Sequence, residues 1–387
     1  MLYSTEKLQN TKQYKEFKEL QDSYYKLSLT KEQNQQSFLK RMFIKNDDTG
    51  EQLNLYYSFE KYYKNYTKSI EQKVYAIEKI AKDRDLVPIF ITLTLPSNYH
   101  PFQSIKHKSG NRQYVALNSN FAFDDVATAV TDGYQYLNHI YRTFYKRVKN
   151  SVKDLLYVKV VENHQTMIPH FHILFYVNKE KSGIIRKIFD NIQIEFNLSQ
   201  TDFEFVDNEL QEVNTKNIKT GVNRASKYIM KYIAKTLNDG ADYHKARTLD
   251  GWKRKHRIRT ITMSNLPLSM SEYRTIYNNL DVDNKNELLD EAKAKDVNLF
   301  YYILTNMFRL KKIYKQDNFQ TKQFGNIDKA KVIIFASVTR IKNQSGYCYQ
   351  NNSFTLFINH KLIYEKQKYT RLIIGDYYNE HKINNSW

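Results

Sequence analysis

The spacing of apolar and polar residues changes along this chain of 387 residues, and each change predicts an element of structure. Residues 1–85 are charged and rich in tyrosine, and apolar positions recur at helical spacing between Ile70 and Ala81, which predicts a helical amino-terminal region. The β-rich run 89–95 then predicts a first strand, and Pro96 with the polar loop after it ends that strand.

The next part of the chain alternates between helical and strand patterns. Apolar residues at steps of three, four or seven predict a long helix capped by Asp124 or Asp125, and a second amphipathic pattern predicts a helix at 184–196. Strands are predicted at 155–162, 169–177 and 202–206. The predicted order is therefore β-α-β-β-α-β.

This order is typical of the split βαβ arrangement, so we predict an α+β fold of the ferredoxin-like or RRM-like kind. In that arrangement the first and third strands lie at the centre of an antiparallel sheet, and both helices cover one face. The opposite face of the sheet is then free to carry functional side chains. A third helix is predicted at 223–237, and residues 238–240 end it.

These elements divide the chain into three expected regions. A domain at 86–240 lies between the helical region 1–85 and a basic α+β region at 241–387. In the last region a helical pattern covers 288–310, and strand-like patterns cover 332–341 and 354–364.

Composition narrows the class of function. The chain has 60 Lys and Arg against 41 Asp and Glu, a formal net charge of +19, together with 32 Tyr and 22 Phe. Basic side chains neutralise phosphates and flat rings stack on unpaired bases, so this composition favours a nucleic-acid partner. An AT-rich genome produces the same composition whatever the function, so charge alone does not decide.

The single cysteine excludes a disulfide framework and a cysteine-based zinc site, and it indicates a reducing, cytoplasmic compartment. The amino terminus is polar, and no apolar run approaches the roughly 18 residues that a spanning helix needs. We therefore expect no membrane insertion.

Two histidines stand two residues apart in the predicted strand 169–177. His170 and His172 then project from one face of the sheet, whereas Phe171 points to the other. Paired neutral imidazoles on a rigid strand can hold a divalent cation. Taken alone, the pair is more simply interpreted as two isolated surface histidines. Whether it binds a metal ion therefore depends on the residues predicted to lie beside it.

Glu162 ends the preceding predicted strand, and its place in the alternation turns its carboxylate toward the histidine face. Two nitrogens and one oxygen leave room for water and a phosphate oxygen, which suits Mg²⁺ or Mn²⁺ acting as a Lewis acid. We predict a metal site of His170, His172 and Glu162. The alternatives are a Glu162 that is solvated at the loop edge, and His164 as the third ligand.

The predicted third helix repeats a pattern of tyrosine and lysine. Tyr228 and Tyr232 are four residues apart and share one face. Lys227, Lys231 and Lys235 form the adjacent ridge. The alternative is an ordinary amphipathic helix with half-buried tyrosines and a solvated lysine face. A phenol with a pKa of about 10 is a poor nucleophile, and nearby lysines and an activated phosphate are what it needs to react.

A basic segment follows this helix. Its charged residues, next to Trp252, are Lys253, Arg254, Lys255, Arg257 and Arg259. We predict that they bind the phosphate backbone of the nucleic acid together with Lys227; the alternative is a solvated basic loop.

Three motifs together resemble those of the HUH endonucleases, which are named after His-hydrophobic-His. They are Thr92-Leu93-Thr94 before Pro96, Pro169-His170-Phe171-His172, and the doubled Tyr-x-x-Lys of Tyr228/Lys231 and Tyr232/Lys235. The resemblance covers about residues 86–240 and is greatest to two-tyrosine rolling-circle initiators, the gene A type replication proteins of single-stranded DNA phages. The tyrosines follow the histidines, which is the order in replication initiators and not in conjugative relaxases.

The resemblance implies a metal-dependent endonuclease that nicks single-stranded origin DNA in the cytoplasm of a bacterial host. One tyrosine attacks the phosphate and leaves a 5′-phosphotyrosine and a free 3′-OH that primes a DNA polymerase; the second tyrosine later resolves the product to a sealed circle. Lys231 and Lys235 are assigned to phosphate binding and charge stabilisation. No G-x-x-x-x-G-K-[ST] loop occurs, so we expect a host helicase or an extruded origin hairpin to open the duplex.

Two other functions stay open at this point. A two-tyrosine single-strand transposase would use the same chemistry, but such relatives carry a cysteine-rich zinc module that one cysteine cannot build. A non-catalytic RNA- or DNA-binding protein on an RRM-like sheet would expose Phe or Tyr on its central strands. Phe171 is predicted to point away from the histidine face, which disfavours that second alternative.

Overall fold

The structure is a computed structural model that describes residues 3–4, 6–40, 42–46, 52–106, 113–198, 201–205, 224–237, 243–279, 282–305, 354–358 and 361–365. Contacts group the chain into two compact units, Met1–Lys31 with Tyr63–Ser264, and Glu32–Tyr62 with Asn265–Trp387. The predicted division at residues 85 and 240 does not coincide with this grouping, and it stays a prediction.

The described residues contain two long helices in the amino-terminal region, as predicted, and the two predicted helices that connect strands of the central sheet. In chain order they are α1 (Glu6–Gln9), α2 (Lys12–Leu39), α3 (Phe59–Asp83), α4 (Val126–Ser151), α5 (Ser182–Glu195), α6 (Arg224–Leu237), α7 (Tyr243–Lys255), α8 (Met270–Asn279), α9 (Val282–Ala294) and α10 (Leu299–Thr305). Of the predicted apolar stripe on α3, Ile70, Val74, Ile77 and Ala81 are buried and Ile80 is half-buried.

The strands of the described residues form three sheets. In chain order they are β1 (Tyr3–Ser4), β2 (Met42–Asn46), β3 (Gln52–Asn54), β4 (Leu86–Leu93), β5 (Phe102–Lys106), β6 (Gln113–Leu117), β7 (Leu155–Asn163), β8 (Pro169–Asn178), β9 (Asp202–Phe205), β10 (Ile261–Met263), β11 (Phe354–Ile358) and β12 (Lys361–Glu365). Two of the sheets, β1-β6-β5 and β10-β7-β8-β4-β9, lie in the first unit, and β12-β11-β2-β3 lies in the second.

The five-stranded sheet is the centre of the first unit, and all of its pairings are antiparallel. The α+β class is thereby confirmed. The first and third predicted strands, β4 and β8, are neighbours inside the sheet, with β7 and β9 on either side. The short strand β10 was not predicted; it extends the sheet beyond β7.

One face of this sheet packs on α4 and α5. The buried sheet residues of that face are Ile89, Ile91, Leu93, Val161, Phe171, Ile173, Phe175 and Val177. Phe144 of α4 stacks on Phe175 with ring centroids 5.7 Å apart, and Phe189 of α5 meets Phe144 edge to face. Each fully buried side chain of this kind contributes about 1.5–3 kcal/mol, so this layer stabilises the unit substantially.

Element boundaries agree closely with the pattern in this part of the chain. Asp125 is the N-cap of α4, where its carboxylate accepts a hydrogen bond from the Thr128 backbone N–H at 2.8 Å. The strand predicted at 89–95 begins earlier, at Leu86, and includes Pro88. Pro88 pairs with β8 only, because the pairing with β9 starts at Ile89, and a strand paired on one side tolerates a missing N–H.

Two segments differ from the predicted pattern. The region after Pro96, expected to be a polar loop, contains the hairpin strands β5 and β6. The segment after residue 240, expected to be a basic stretch, folds in part as helix α7. These segments are short and polar, so the periodicity of their apolar residues does not distinguish them from loops. Tertiary contacts determine their structure.

The second unit carries its own antiparallel sheet. The segment 354–364, predicted as one strand-like pattern, is strand in character but contains two strands, β11 and β12, which pair with each other; β2 pairs between β11 and β3. The helical pattern at 288–310 corresponds to parts of α9 and α10, and residues 306–310 and 332–341 lie outside the described residues. Within the described part of the chain, no helix combines the length and the apolar character that crossing a membrane would require.

Gly251 of α7 marks a close helix crossing. A Cβ added there would overlap the backbone of Tyr24 in α2, and backbone atoms cannot move aside as a flexible side chain can. Gly251→Ala is therefore expected to lower the free energy of unfolding by about 1–3 kcal/mol, as overpacking does. Urea denaturation measures this loss. Gly183→Ala in α5 is the matched control, because nothing lies within 4 Å of its added Cβ; a loss in both variants alike would contradict the assignment.

His256 couples stability to pH. Its Nε2 lies 2.6 Å from the Tyr24 hydroxyl and its Nδ1 lies 2.7 Å from Thr131 Oγ1. Burial, reinforced by the neighbouring Lys255, lowers the pKa of His256 from 6.5 to about 4. The unfolded chain therefore binds this proton more readily, and the stability present above pH 6.5 is lost as the pH falls toward 4.

The expected size of this effect at pH 5 is about 2 kcal/mol. Unfolding free energies measured at pH 7.5 and pH 5 should differ less in His256→Gln than in the wild type by roughly that amount. An unchanged pH dependence in the variant would show that His256 is not the coupled group.

Candidate active site

The strand register gathers polar residues on the sheet face opposite α4 and α5. Glu162 of β7 pairs with His170 of β8, and Val160 pairs with His172. On the other side of β8, Thr92 of β4 also pairs with His172. Directly opposed residues of an antiparallel pair project from the same face, so the two histidines, Glu162 and Thr92 share one surface.

Helix α6 covers this surface and carries the two tyrosines. Ile229 and Ile233 are fully buried, and they fix which face of the helix meets the sheet. Tyr228 and Tyr232 lie over Phe90 of β4, with ring centroids 4.5 Å and 5.9 Å from it. The structure therefore places the predicted helix directly on the predicted histidine strand.

His172 is bonded at both ring nitrogens. Its Nε2 donates to Glu162 Oε2 at 2.7 Å, and its Nδ1 lies 3.3 Å from the hydroxyl of Thr92. The Tyr232 ring stacks on the imidazole with centroids 3.5 Å apart. Burial lowers the pKa of His172, although the Glu162 carboxylate opposes that change. The neutral ring is thus held between a carboxylate, a hydroxyl and a phenol.

Glu162 is the charged centre of the site. Its Oε1 accepts a hydrogen bond from Lys235 Nζ at 3.0 Å, while its Oε2 binds His172. Burial alone would raise the pKa of Glu162, but the bonds from His172 and Lys235 outweigh it and hold the pKa at about 2. The carboxylate is therefore ionised, and both of its oxygens are engaged.

The two tyrosine hydroxyls are hydrogen-bonded to each other. Tyr232 donates to the Tyr228 oxygen at 3.3 Å, and Lys235 Nζ lies 5.1 Å from the centre of the Tyr232 ring. Burial, the bond to Tyr228 and the charge of Glu162 raise the pKa of Tyr232. Tyr228 is 38% exposed, and Lys231 lies over its ring. A phosphate brought to this pair would meet both hydroxyls.

His170 belongs to a different group of side chains. Among the described residues, His100, His164 and His170 bring their ligand atoms within 4.8 Å of one another. The predicted metal residues thus have different neighbours: His172 contacts Glu162 and Tyr232, and His170 contacts two other histidines. Sequence reasoning named His164 as an alternative ligand but missed His100, because nothing in the spacing links it to β8.

A cleft of about 720 Å³ joins these groups. It is lined by Lys18, Gln21, Glu162, Asn163, His164, Gln165, Met167, His170, His172, Tyr232, Lys235, His244, Lys245, Thr248 and Leu249. Sequence reasoning missed the contributions of α2 and α7, which supply Lys18 and Lys245. Their positive charges make the cleft suited to a phosphate chain.

The predicted DNA-binding residues divide into two sets. Lys253 and Arg254 form ion pairs with the buried Asp250, at 3.3 Å and 2.7 Å. Lys255, Arg257 and Arg259 are exposed, and Lys227 is half-buried on α6. Trp252, which the sequence placed beside this segment, is buried and donates its Nε1–H to Met167 O at 2.9 Å. The contact of these Lys and Arg side chains with DNA stays a prediction.

Comparison with known sequences gives one family match. A protein family described as bacteriophage replication gene A protein (GPA) matches residues 15–240. The match starts inside α2, so it includes helices that the predicted domain at 86–240 left out.

Two curated phage proteins are similar to this chain. The replication gene A protein of Escherichia phage P2 is 26% identical over 204 residues, and the replication protein of Haemophilus phage HP1 is 24% identical over 205 residues. Each alignment covers 52% of this chain but only 25% and 24% of the respective relative. The chain therefore spans about a quarter of the length of these relatives. No solved structure matches it.

Phe90 is expected to hold α6 on the sheet. It is buried on the tyrosine face, whereas Phe175 is buried on the opposite face against α4. Phe90→Leu should increase amide hydrogen exchange in α6 more than in α4, and Phe175→Leu should do the reverse, since each removes packing from one layer. Hydrogen exchange with mass spectrometry resolves the two helices. Equal effects of both variants on α6 would contradict this role of Phe90.

Proposed function

The chain belongs to the bacteriophage replication gene A protein family, and on that basis we propose that it initiates phage rolling-circle replication by nicking and rejoining single-stranded origin DNA. One observation carries the proposal: two tyrosine hydroxyls lie 3.3 Å apart beside a basic cleft, and the ring of one, Tyr232, stacks on His172, which is hydrogen-bonded to the Glu162 carboxylate. A single-strand transposase would share this chemistry, but the family match favours replication.

The proposed reaction is a phosphoryl transfer to tyrosine. The hydroxyl oxygen of one tyrosine attacks the scissile phosphorus, a bond from phosphorus to the phenolic oxygen forms, and the bond to the 3′ oxygen breaks. The phenol loses its proton to water and the released 3′ oxygen takes one up. The covalent link retains the energy of the phosphodiester, so no nucleotide cofactor is needed for rejoining.

Two nucleophiles on one helix suit a reaction with two cleavages. Tyr228 and Tyr232 lie on one face of α6 with their hydroxyls in contact, so a second strand can be attacked while the first remains attached. The 3′-OH freed in the second cleavage then displaces the first tyrosine and seals a circle. This sequence of steps gives each tyrosine a separate role.

The lysines of α6 are proposed to stabilise the negative charge of the transferred phosphate. Lys235 is half exposed and already lies between Glu162 and the Tyr232 ring, while Lys231 lies over Tyr228. Fixed positive charges next to the attacked phosphate stabilise the extra charge of the transition state.

A divalent cation, Mg²⁺ or Mn²⁺, would supply Lewis-acid polarisation of the phosphate when bound. The predicted ligands His170, His172 and Glu162 all line the cleft. The fit is supported by His170, whose Nε2 is buried without a hydrogen-bond partner in the described part of the chain and so has a free lone pair to offer.

Single-stranded DNA is proposed to enter along the basic cleft, past Lys18 and Lys245. The host cytoplasm, a host helicase and a DNA polymerase complete the proposed setting. A non-catalytic RRM-like binding mode is disfavoured, because Phe90 on the free sheet face is 2% exposed under α6 and offers no open stacking platform.

A covalent-adduct assay tests the proposal. The chain is incubated with Mn²⁺ and labelled single-stranded DNA from its own replicon, and a protein–DNA adduct that survives boiling in detergent is expected. The adduct should persist in Tyr228→Phe and in Tyr232→Phe but disappear in the double variant. His170→Ala should abolish nicking and retain salt-sensitive DNA binding.

Tyr136→Phe is the matched control, because this tyrosine lies on α4, away from the tyrosine pair. It should form the adduct as the wild type does. No adduct in the wild type, or an adduct in the double variant, would overturn the two-nucleophile proposal.

A further inference from the structure

Lys159 is a buried lysine on the sheet face that packs on α4. It lies in the middle of β7, where it pairs with Ile173 of β8 and Thr262 of β10, and only 3% of its surface is exposed. Ile173 belongs to the core, so Lys159 projects from the sheet face opposite the tyrosines. Lysine is seldom fully buried unless an opposite charge accompanies it, so its position here requires a reason.

Two aromatic rings and one amide oxygen surround the ammonium group of Lys159. Its Nζ lies 4.3 Å from the ring centre of Tyr141 in α4 and 4.3 Å from that of Phe171 in β8. It also lies 3.5 Å from Asn138 Oδ1, which is a long hydrogen bond. These contacts attract a cation, but rings and amides carry no net charge and so do not neutralise it.

The charged neighbours of Lys159 are also positive. Burial, and then the charges of Arg142 and Arg259, lower the pKa of Lys159 from 10.5 to about 7. Arg142 lies on α4 and Arg259 lies just before β10, and both are exposed. None of the three forms an ion pair within the described part of the chain. Three cations therefore converge without a counter-charge.

Three hydroxyl groups lie beside this cluster of cations. They belong to Tyr141, to Thr262, which pairs with Lys159, and to Tyr157, which lies next to both. The hydroxyls of Tyr141 and Thr262 are buried, and among the described residues neither has a partner with full hydrogen-bonding geometry. A hydroxyl can donate to an oxyanion, and burying it without a partner is unfavourable. Unused donors and uncompensated positive charge therefore occur together.

We propose that Lys159, Arg142 and Arg259 bind a backbone phosphate of DNA on the sheet face opposite the tyrosines. The identity of the ligand as DNA rests on the proposed function. The sequence predicts that the basic segment ending at Arg259 binds phosphates, and Lys255 and Arg257 of that segment are exposed as well. A phosphate between the two exposed arginines would bring the counter-charge that Lys159 lacks.

This phosphate site holds DNA away from the bond that is cleaved. The tyrosine pair and the phosphate site lie on opposite faces of one sheet, and β10, next to β7, is an edge strand of that sheet. A strand bound at both places passes round the β10 edge. The site therefore contacts DNA that flanks the nick, and its variants should change binding and leave the chemistry at the tyrosines intact.

Binding of the phosphate should be coupled to uptake of a proton by Lys159. An anion favours the charged form of lysine, so the pKa rises from about 7 toward its ordinary value of 10.5 when the phosphate binds. Above pH 7 most of the free chain carries a neutral Lys159, which must gain a proton on binding. The affinity for DNA should therefore increase about tenfold as the pH falls from 8.5 to 7.

The other groups around Lys159 do not titrate in this pH range. Burial raises the pKa of Tyr141 and of Tyr157, so both phenols stay neutral. Arg142 and Arg259 stay charged, and ordinary histidines titrate near pH 6.5, below the range. Phosphodiesters keep one negative charge throughout. A change in affinity between pH 8.5 and 7 is therefore specific to Lys159.

DNA binding at the two pH values is the test. The full chain carrying Tyr228→Phe and Tyr232→Phe is titrated with labelled single-stranded DNA from its own replicon, and fluorescence anisotropy gives the affinity. Lys159→Met keeps the length of the buried side chain and should remove the tenfold change between pH 8.5 and 7. Calorimetry in two buffers of different ionisation enthalpy should show proton uptake with Lys159 and none with Lys159→Met.

The exposed arginines are tested separately. Arg142→Gln and Arg259→Gln should each weaken binding about fivefold at about 0.1 M salt and flatten its salt dependence, since each removes a phosphate contact. Lys187→Gln is the matched control, because it removes one exposed positive charge from α5 on the same sheet, and it should bind within about twofold of the parent. Thermal unfolding confirms that each variant is folded, and the arginine variants suffice if Lys159→Met does not fold.

Either of two results overturns the inference. Equal affinity at pH 8.5 and 7, or a change that persists in Lys159→Met, would leave Lys159 as a structural cation held by its aromatic neighbours. Arginine variants that bind as Lys187→Gln does would remove both arginines from the site. The adduct assay is independent: binding with the expected signatures but no adduct would overturn the nicking proposal alone, and an adduct without these signatures would overturn the inference alone.

Discussion

The site depends on the register of one β-hairpin. Because β7 and β8 pair with Glu162 opposite His170, the side chains of Glu162, His170 and His172 point away from α4 and α5, and the apolar residues between them build the core. A slip of one residue would turn the histidines into the core and expose Phe171. The burial of Phe171, Ile173 and Phe175 therefore selects the register that presents the chemistry.

This register brings the negative charge of Glu162 into a partly buried position, and helix α6 on the same face of the sheet supplies a compensating positive charge. Removing the Glu162 carboxylate from water is unfavourable unless opposite charge and hydrogen bonds replace the lost water. Lys235 and His172 provide them, and Lys235 arrives on the helix that carries both tyrosines. The ion pair and the buried Ile229 and Ile233 thus act together to set α6 over the histidine strand.

Local patterns predicted most of the first unit, since their information lies within a few neighbouring residues. The alternation in β7 and β8 gave the face of His170, His172 and Glu162, and the four-residue spacing in α6 gave the tyrosine pair. His100, Lys18 and Lys245 could not be found in this way. They lie far away along the chain, in α2, α7 and a loop, and only tertiary packing brings them to the cleft.

The two histidines of β8 have different surroundings although they belong to one motif. Residues i and i+2 of a strand share a face and are separated by about 6.6 Å along it, so the two rings have partly different neighbours. His172 lies nearer the middle of β8, where Thr92 and the helix with the tyrosines cover it. His170 lies near the beginning of the strand, where the loops with His100 and His164 converge. Sequence spacing shows that the two rings share a face, but tertiary packing determines which side chains each ring contacts.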